Sequence, residues 1–142
     1  MDIRDAIDIV ETHFGTFTAD QAREIGSCAV ISISHITGKS WEEVWEVARH
    51  EFGRYGMNSG GIARTLRAFG WENQGYFKLL DMTVRQAETY LQQNDPDAII
   101  CCQINVQRVP HSIAFVGGKF HNVLGAYKAK VRLAYQYKKI GS

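Results

Sequence analysis

Proline and cysteine are both scarce: two prolines and three cysteines in 142 residues. Cys28, Cys101 and Cys102 are odd in number and two of them are adjacent, which argues against a disulfide framework. No Cys-x-x-Cys occurs, so the usual spacing of a structural zinc site is missing. His50-Glu51 lacks the second His of a zinc-protease helix, and Gly60-Gly61-Ile62-Ala63-Arg64-Thr65 lacks the Lys-Ser/Thr of a phosphate loop. No G-x-S-x-G elbow suggests a serine hydrolase. Apolar runs stay short of the ~18 residues that cross a bilayer. The start, Met1-Asp2-Ile3-Arg4-Asp5, mixes charges and lacks a signal peptide's layout. The expectation is a soluble, cytoplasmic protein with no membrane partner. Charge of one sign is also lacking: Lys plus Arg number 16 and Asp plus Glu 15. That balance argues against a nucleic-acid binder, whose phosphate contacts use a clear cationic excess.

What is present is enough apolar material for a core. Apolar residues are 45% and charged residues 22% of the chain, which excludes disorder. The length fits one domain over residues 1–142. The first half reads as helical. Ile3, Ala6, Ile7, Val10 and Phe14 form a helical stripe that stops at Gly15. Ser40-Trp41-Glu42-Glu43 and Thr83-Val84-Arg85-Gln86 are capping boxes. The first starts a helix carrying Val44, Trp45 and Ala48 that stops near Gly53; the second starts one ending about Asn94, before Pro96. Asn58 or Ser59 caps a further helix closed by Gly70. The last third reads as strands: residues 98–104, 112–116, 120–124 and 131–137. Helices followed by an antiparallel sheet is an α+β layout. The segment after Cys28 is ambiguous. Ala29-Val30-Ile31-Ser32-Ile33-Ser34 alternates and is β-branched like a strand, yet it is apolar all round like a buried helix, and local signals favour the strand.

Gly117-Gly118 between two strands is a two-residue hairpin signal. It pairs Val116 with Lys119, Phe115 with Phe120, Ala114 with His121 and Ile113 with Asn122. Opposite residues share a face, so His111, Ile113, Phe115, Phe120, Asn122 and Leu124 fall together. This is the greasier face and is expected to point at the helices. His111 and Asn122 are its polar members, diagonal neighbours roughly 7–8 Å apart at Cα. One reading is a core His bonded to an amide for packing alone. The other is a general base whose tautomer the Asn carbonyl fixes. His121 falls on the opposite face and reads as a solvated surface residue.

Cys28 also admits two readings. Free cysteines are most often buried and inert. At a helix N-terminus, however, the dipole favours the thiolate and so a nucleophile. Cys101 and Cys102 sit in a strand-like run, one facing each way, as core residues. Trp41, Trp45, Trp71 and His35 read as packing residues. Lys128, Lys130, Arg132, Lys138 and Lys139 form a basic region, either a solvated strand edge or a site for an acidic partner.

Three stretches together resemble the papain-like cysteine peptidase superfamily, and within it small bacterial and phage proteins related to the leader-peptidase domains of bacteriocin exporters. The first runs from Cys28-Ala29-Val30 to Ile36-Thr37-Gly38-Lys39-Ser40-Trp41-Glu42-Glu43-Val44. The second is Gly56-Met57 leading to Ile62, Leu66 and Phe69-Gly70-Trp71. The third is His111-Ser112-Ile113-Ala114-Phe115-Val116-Gly117-Gly118-Lys119-Phe120-His121-Asn122. They cover about residues 20 to 125. The resemblance implies a helix from Cys28 onward, packed with the other helices on a C-terminal antiparallel sheet. It makes Cys28 the nucleophile, His111 the base and Asn122 the orienter of a thiol hydrolase acting on a peptide or isopeptide bond. It places Gln21, seven residues before Cys28, near the position of an oxyanion-hole Gln that the group carries at six. No metal or cofactor is implied, and the partner is a peptide or protein substrate. The alternative is a non-catalytic binding module on the same fold, such as a phage factor directed at a host protein in the host cytoplasm.

Overall fold

The computed structural model describes residues 27–52 and 57–141. The stripe of residues 3–14, the helix stop at Gly53 and Gln21 lie outside them. Among the described residues are four α-helices and five strands. The helices are α1 (Cys28–Thr37), α2 (Trp41–Ala48), α3 (Ser59–Ala68) and α4 (Val84–Asn94). The strands are β1 (Trp71–Tyr76), β2 (Ile99–Val106), β3 (Val109–Val116), β4 (Lys119–His121) and β5 (Leu133–Lys139). They form one antiparallel sheet in the order β1-β5-β2-β3-β4, so the architecture is α+β.

Capping determines where the helices begin. Ser40 accepts from the Glu43 N–H while the Glu43 carboxylate accepts from the Ser40 N–H. Thr83 and Gln86 do the same for α4. Asn58 caps α3 by accepting from the Gly61 N–H at 2.9 Å. Each such cap satisfies donors that the first helical turn leaves unpaired.

The segment after Cys28 is a helix, against its local strand pattern. Ala29, Val30, Ile33 and Ile36 are all buried in it. Burial on this scale overrides the weak β propensity of branched residues. The polar segment Trp71–Tyr76, which carries no apolar alternation, is a strand at the sheet's edge.

Helices cover both faces of the sheet. On one face α1, α2 and α3 pack Val30, Ile33, Val44, Phe52 and Leu66 against Cys101, Ala114 and Tyr137. On the other, α4 packs Val84, Ala87 and Leu91 against Ile100, Cys102, Ile113, Phe115 and Phe120. The greasier hairpin face therefore meets α4, and α1 lies across Ala114 on the face expected to be wet. Alternation assigned Ile113, Phe115 and Phe120 to one face and Ala114 to the other as observed. It fails beyond His121, where Val123 joins the α4 layer and Leu124 is exposed, and it could not show that a second helical layer lies on the less apolar face. Trp41 stacks on Trp45 in the α1 layer, with ring centroids 5.7 Å apart.

The hairpin register is the one the glycines imply. Ala114 pairs with His121, Phe115 with Phe120 and Val116 with Lys119. Gly117 and Gly118 both have positive φ, 64° and 84°, as a type I′ turn requires. The pairing stops sooner than expected, at His121. Asn122 has φ 65° and Leu124 φ 56°, so the chain leaves the sheet and the expected strand 120–124 is cut short. Asn tolerates this left-handed conformation better than most residues. As a consequence, among the described residues β3 has no strand partner on its outer side at His111 and Ser112.

Candidate active site

Cys28 opens α1 and is half-buried. The first hydrogen bond of α1 runs from the Ile31 N–H to the Ser27 carbonyl, and Ser27 provides no side-chain cap. The N–H groups of Cys28, Ala29 and Val30 thus take no part in the helix ladder, and the positive end of the dipole lies at the thiol.

The thiol meets the part of β3 that β4 leaves uncovered. The His111 ring and both the main-chain N–H and the hydroxyl of Ser112 face it and act on its ionisation. Burial pushes the Cys28 thiol pKa up; these three donors and the His111 charge outweigh that, and the pKa lies below the ordinary thiol value. His111 shifts the opposite way. Its hydrogen bond to Cys28 raises its pKa, burial lowers it, and the Asn122 carbonyl and the Cys28 charge add to the rise. Both shifts favour a thiolate beside an imidazolium.

The second nitrogen of His111 fixes the tautomer. Nε2 lies 2.6 Å from the main-chain oxygen of Asn122. A carbonyl only accepts, so Nε2 carries the hydrogen and Nδ1 is the basic nitrogen. The sequence had assigned this role to the Asn122 side chain. The structure gives it to the Asn122 main chain, because the left-handed turn at 122 swings the carbonyl, not the amide, towards the ring.

The other cysteines stay apart from this chemistry. Cys101 faces α1 and Cys102 faces α4. Both are buried; burial pushes Cys101 up to about 12, helped by the Cys28 charge, and holds Cys102 well above the ordinary value. Both shifts favour the protonated thiol. Two histidines differ from their sequence reading. His35 is exposed at the end of α1 rather than in the core, and its ring stacks on that of His121 with centroids 4.3 Å apart. His121 is half-buried and bonds the Val116 carbonyl at 2.9 Å. Ser112 is the site residue that sequence reasoning missed. Its position directly after the candidate base was the available signal.

No protein-family model, curated protein or solved structure matches the chain. Among the described residues no helix is long and apolar enough to cross a membrane. No group of three or more His, Cys, Asp or Glu residues placed to hold a metal ion occurs among them.

Proposed function

We propose that the protein is a papain-like cysteine peptidase, a thiol hydrolase acting on a peptide or isopeptide bond. The observation that carries this reading is the Cys28–His111 pair, whose interaction displaces the two pKa values in opposite directions while a carbonyl holds the His111 tautomer. A buried structural cysteine has no need of three donors, nor of a base with one nitrogen kept free.

In the proposed reaction Cys28 Sγ attacks the substrate carbonyl carbon, forming a C–S bond as the oxygen takes up the π electrons. The N–H groups at the start of α1, that of Cys28 first, lie where this oxyanion develops charge. His111 gives its Nδ1 proton to the departing amine as the C–N bond breaks, leaving a thioester on Cys28. Water then loses a proton to His111 as it attacks the thioester, and the thiolate leaves. Asn122 keeps the imidazole in orientation through its carbonyl, and Ser112 steadies the thiolate with two hydrogen bonds.

Incubation with a mixed library of peptides and isopeptides, read by mass spectrometry, tests the assignment. Wild type should cleave, and Cys28→Ser should not, while its melting temperature stays within about 2 °C, since Ser suits a helix N-terminus. Cleavage surviving in Cys28→Ser would remove Cys28 as nucleophile.

A further inference from the structure

Part of the basic region borders the candidate active site. A cavity of about 350 Å³ is lined by Gln103, Ile104, Asn105, Pro110, Arg132 and Leu133. Its position follows from strand register. Gln103 lies directly opposite Ser112, Ile104 opposite His111 and Asn105 opposite Pro110. On the other side of β2, Gln103 pairs with Leu133. The Arg132 N–H donates to the Gln103 carbonyl at 2.8 Å, so Arg132 is beside Ile104. Two strand spacings, roughly 10 Å at Cα, separate it from His111. Substrate residues in extended form advance about 3.3 Å each. That separation equals about three residues of extended substrate, and the length of an arginine side chain brings it to within about two residues of His111.

The chemistry of the lining is that of an anion site. Arg132 is exposed, yet its main chain is anchored, and the preceding Val131 is buried. Its guanidinium has no ion pair among the described residues, in contrast to Arg64, which makes a two-point pair with Glu51. The side-chain amides of Gln103 and Asn105 are likewise without a hydrogen-bond partner among the described residues. No acidic side chain lines the cavity. Arg108, in the turn after β2, and Lys130 add positive charge at this end of the sheet. A guanidinium and two amides lining one cavity offer the donors that a carboxylate, which accepts through two oxygens, can take.

We infer that this cavity is a substrate subsite for a carboxylate within about two residues of the scissile bond, read by Arg132. The inference rests on the proposed hydrolase activity. It gives that activity a substrate class: acidic peptides or protein segments.

The test uses the full chain and two peptide pools of equal composition, one with amidated and one with free C-termini, with cleavage sites ranked by mass spectrometry. Bonds with Asp or Glu within two residues should be cut about tenfold faster than the same bonds flanked by Asn or Gln, the scale of one charge-assisted contact. Arg132→Gln should erase that ratio and Arg132→Glu should invert it towards Lys and Arg. Arg67→Gln, on α3 and away from the cavity, should keep the wild-type ratio. Preference in the amidated pool identifies a side-chain carboxylate; preference confined to free C-termini identifies the terminal one. Cys28-dependent cleavage with no acidic preference, or with a preference unmoved by Arg132→Glu, overturns the subsite and leaves the hydrolase standing. Absence of any Cys28-dependent cleavage overturns both.

Discussion

Replacing Asn122 separates a main-chain orienter from a side-chain one. His111 Nε2 donates to the Asn122 carbonyl at 2.6 Å, and residue 122 has φ 65°. Asn122→Gly keeps the carbonyl and adopts this φ without strain. It should cleave peptide within about twofold of wild type, since a side chain that bonds nothing in the ring leaves catalysis untouched. Asn122→Ala also keeps the carbonyl, but Ala lacks the short polar side chain that eases the left-handed region for Asn, a loss of about 1 kcal/mol. For a chain of this size that lowers the melting temperature by about 3–5 °C, with a small loss of rate. Had the amide oriented the ring, both variants would lose roughly 10²–10⁴ in rate, the scale of a lost orienter. Thermal melts beside initial cleavage rates decide the matter. A hundredfold loss in Asn122→Gly, with an unchanged melt, would refute the main-chain assignment.

Two further outcomes follow from the same geometry. Ser112→Ala removes one of the two Ser112 donors to the thiol and keeps the other, so the Cys28 pKa should rise and its alkylation by iodoacetamide at pH 6 should slow by about fivefold to tenfold. His35 should give stability an acid limb. Burial, then the charges of His121 and Lys119, hold its pKa below the ordinary value of about 6.5. Because the folded value is the lower one, its contribution is complete above about pH 6.5 and is lost as pH falls through the folded value. Melts of His35→Gln across pH 4–7 should be flatter than wild type; equal slopes would show that the stacked pair with His121 carries no such linkage.

Much of the frame is legible in the sequence because it rests on local chemistry. Capping boxes at Ser40 and Thr83 mark helix starts, and Gly117-Gly118 sets the register that puts Phe115 opposite Phe120. What is not legible depends on distant contacts. α1 looks like a strand until two helices and a sheet enclose it, and β1 is too polar to show a strand period. The second helical layer, which buries Ala114 as thoroughly as Phe115, leaves no mark in the alternation of β3 itself. Residue type and order left Cys28 and His111 each with an inert reading beside a reactive one, and only the family resemblance paired them. Asn122 could be named only as a side chain, because every residue carries a carbonyl and its aim is set by φ and ψ.

The central claim is that His111 holds Cys28 as a reactive thiolate, and site-resolved alkylation measures it most directly. Iodoacetamide rates at each cysteine, from pH 5 to 10 in wild type and His111→Ala, are read by mass spectrometry of the digested chain. In wild type, Cys28 should react far faster at pH 6 than Cys101 and Cys102, which burial keeps protonated, and its rate should titrate below the ordinary thiol value. In His111→Ala the titration should move upward, with the pH 6 rate falling by about tenfold or more, one pKa unit being tenfold in thiolate. A wild-type Cys28 that titrates like an ordinary thiol, or one unmoved by His111→Ala, would contradict the account.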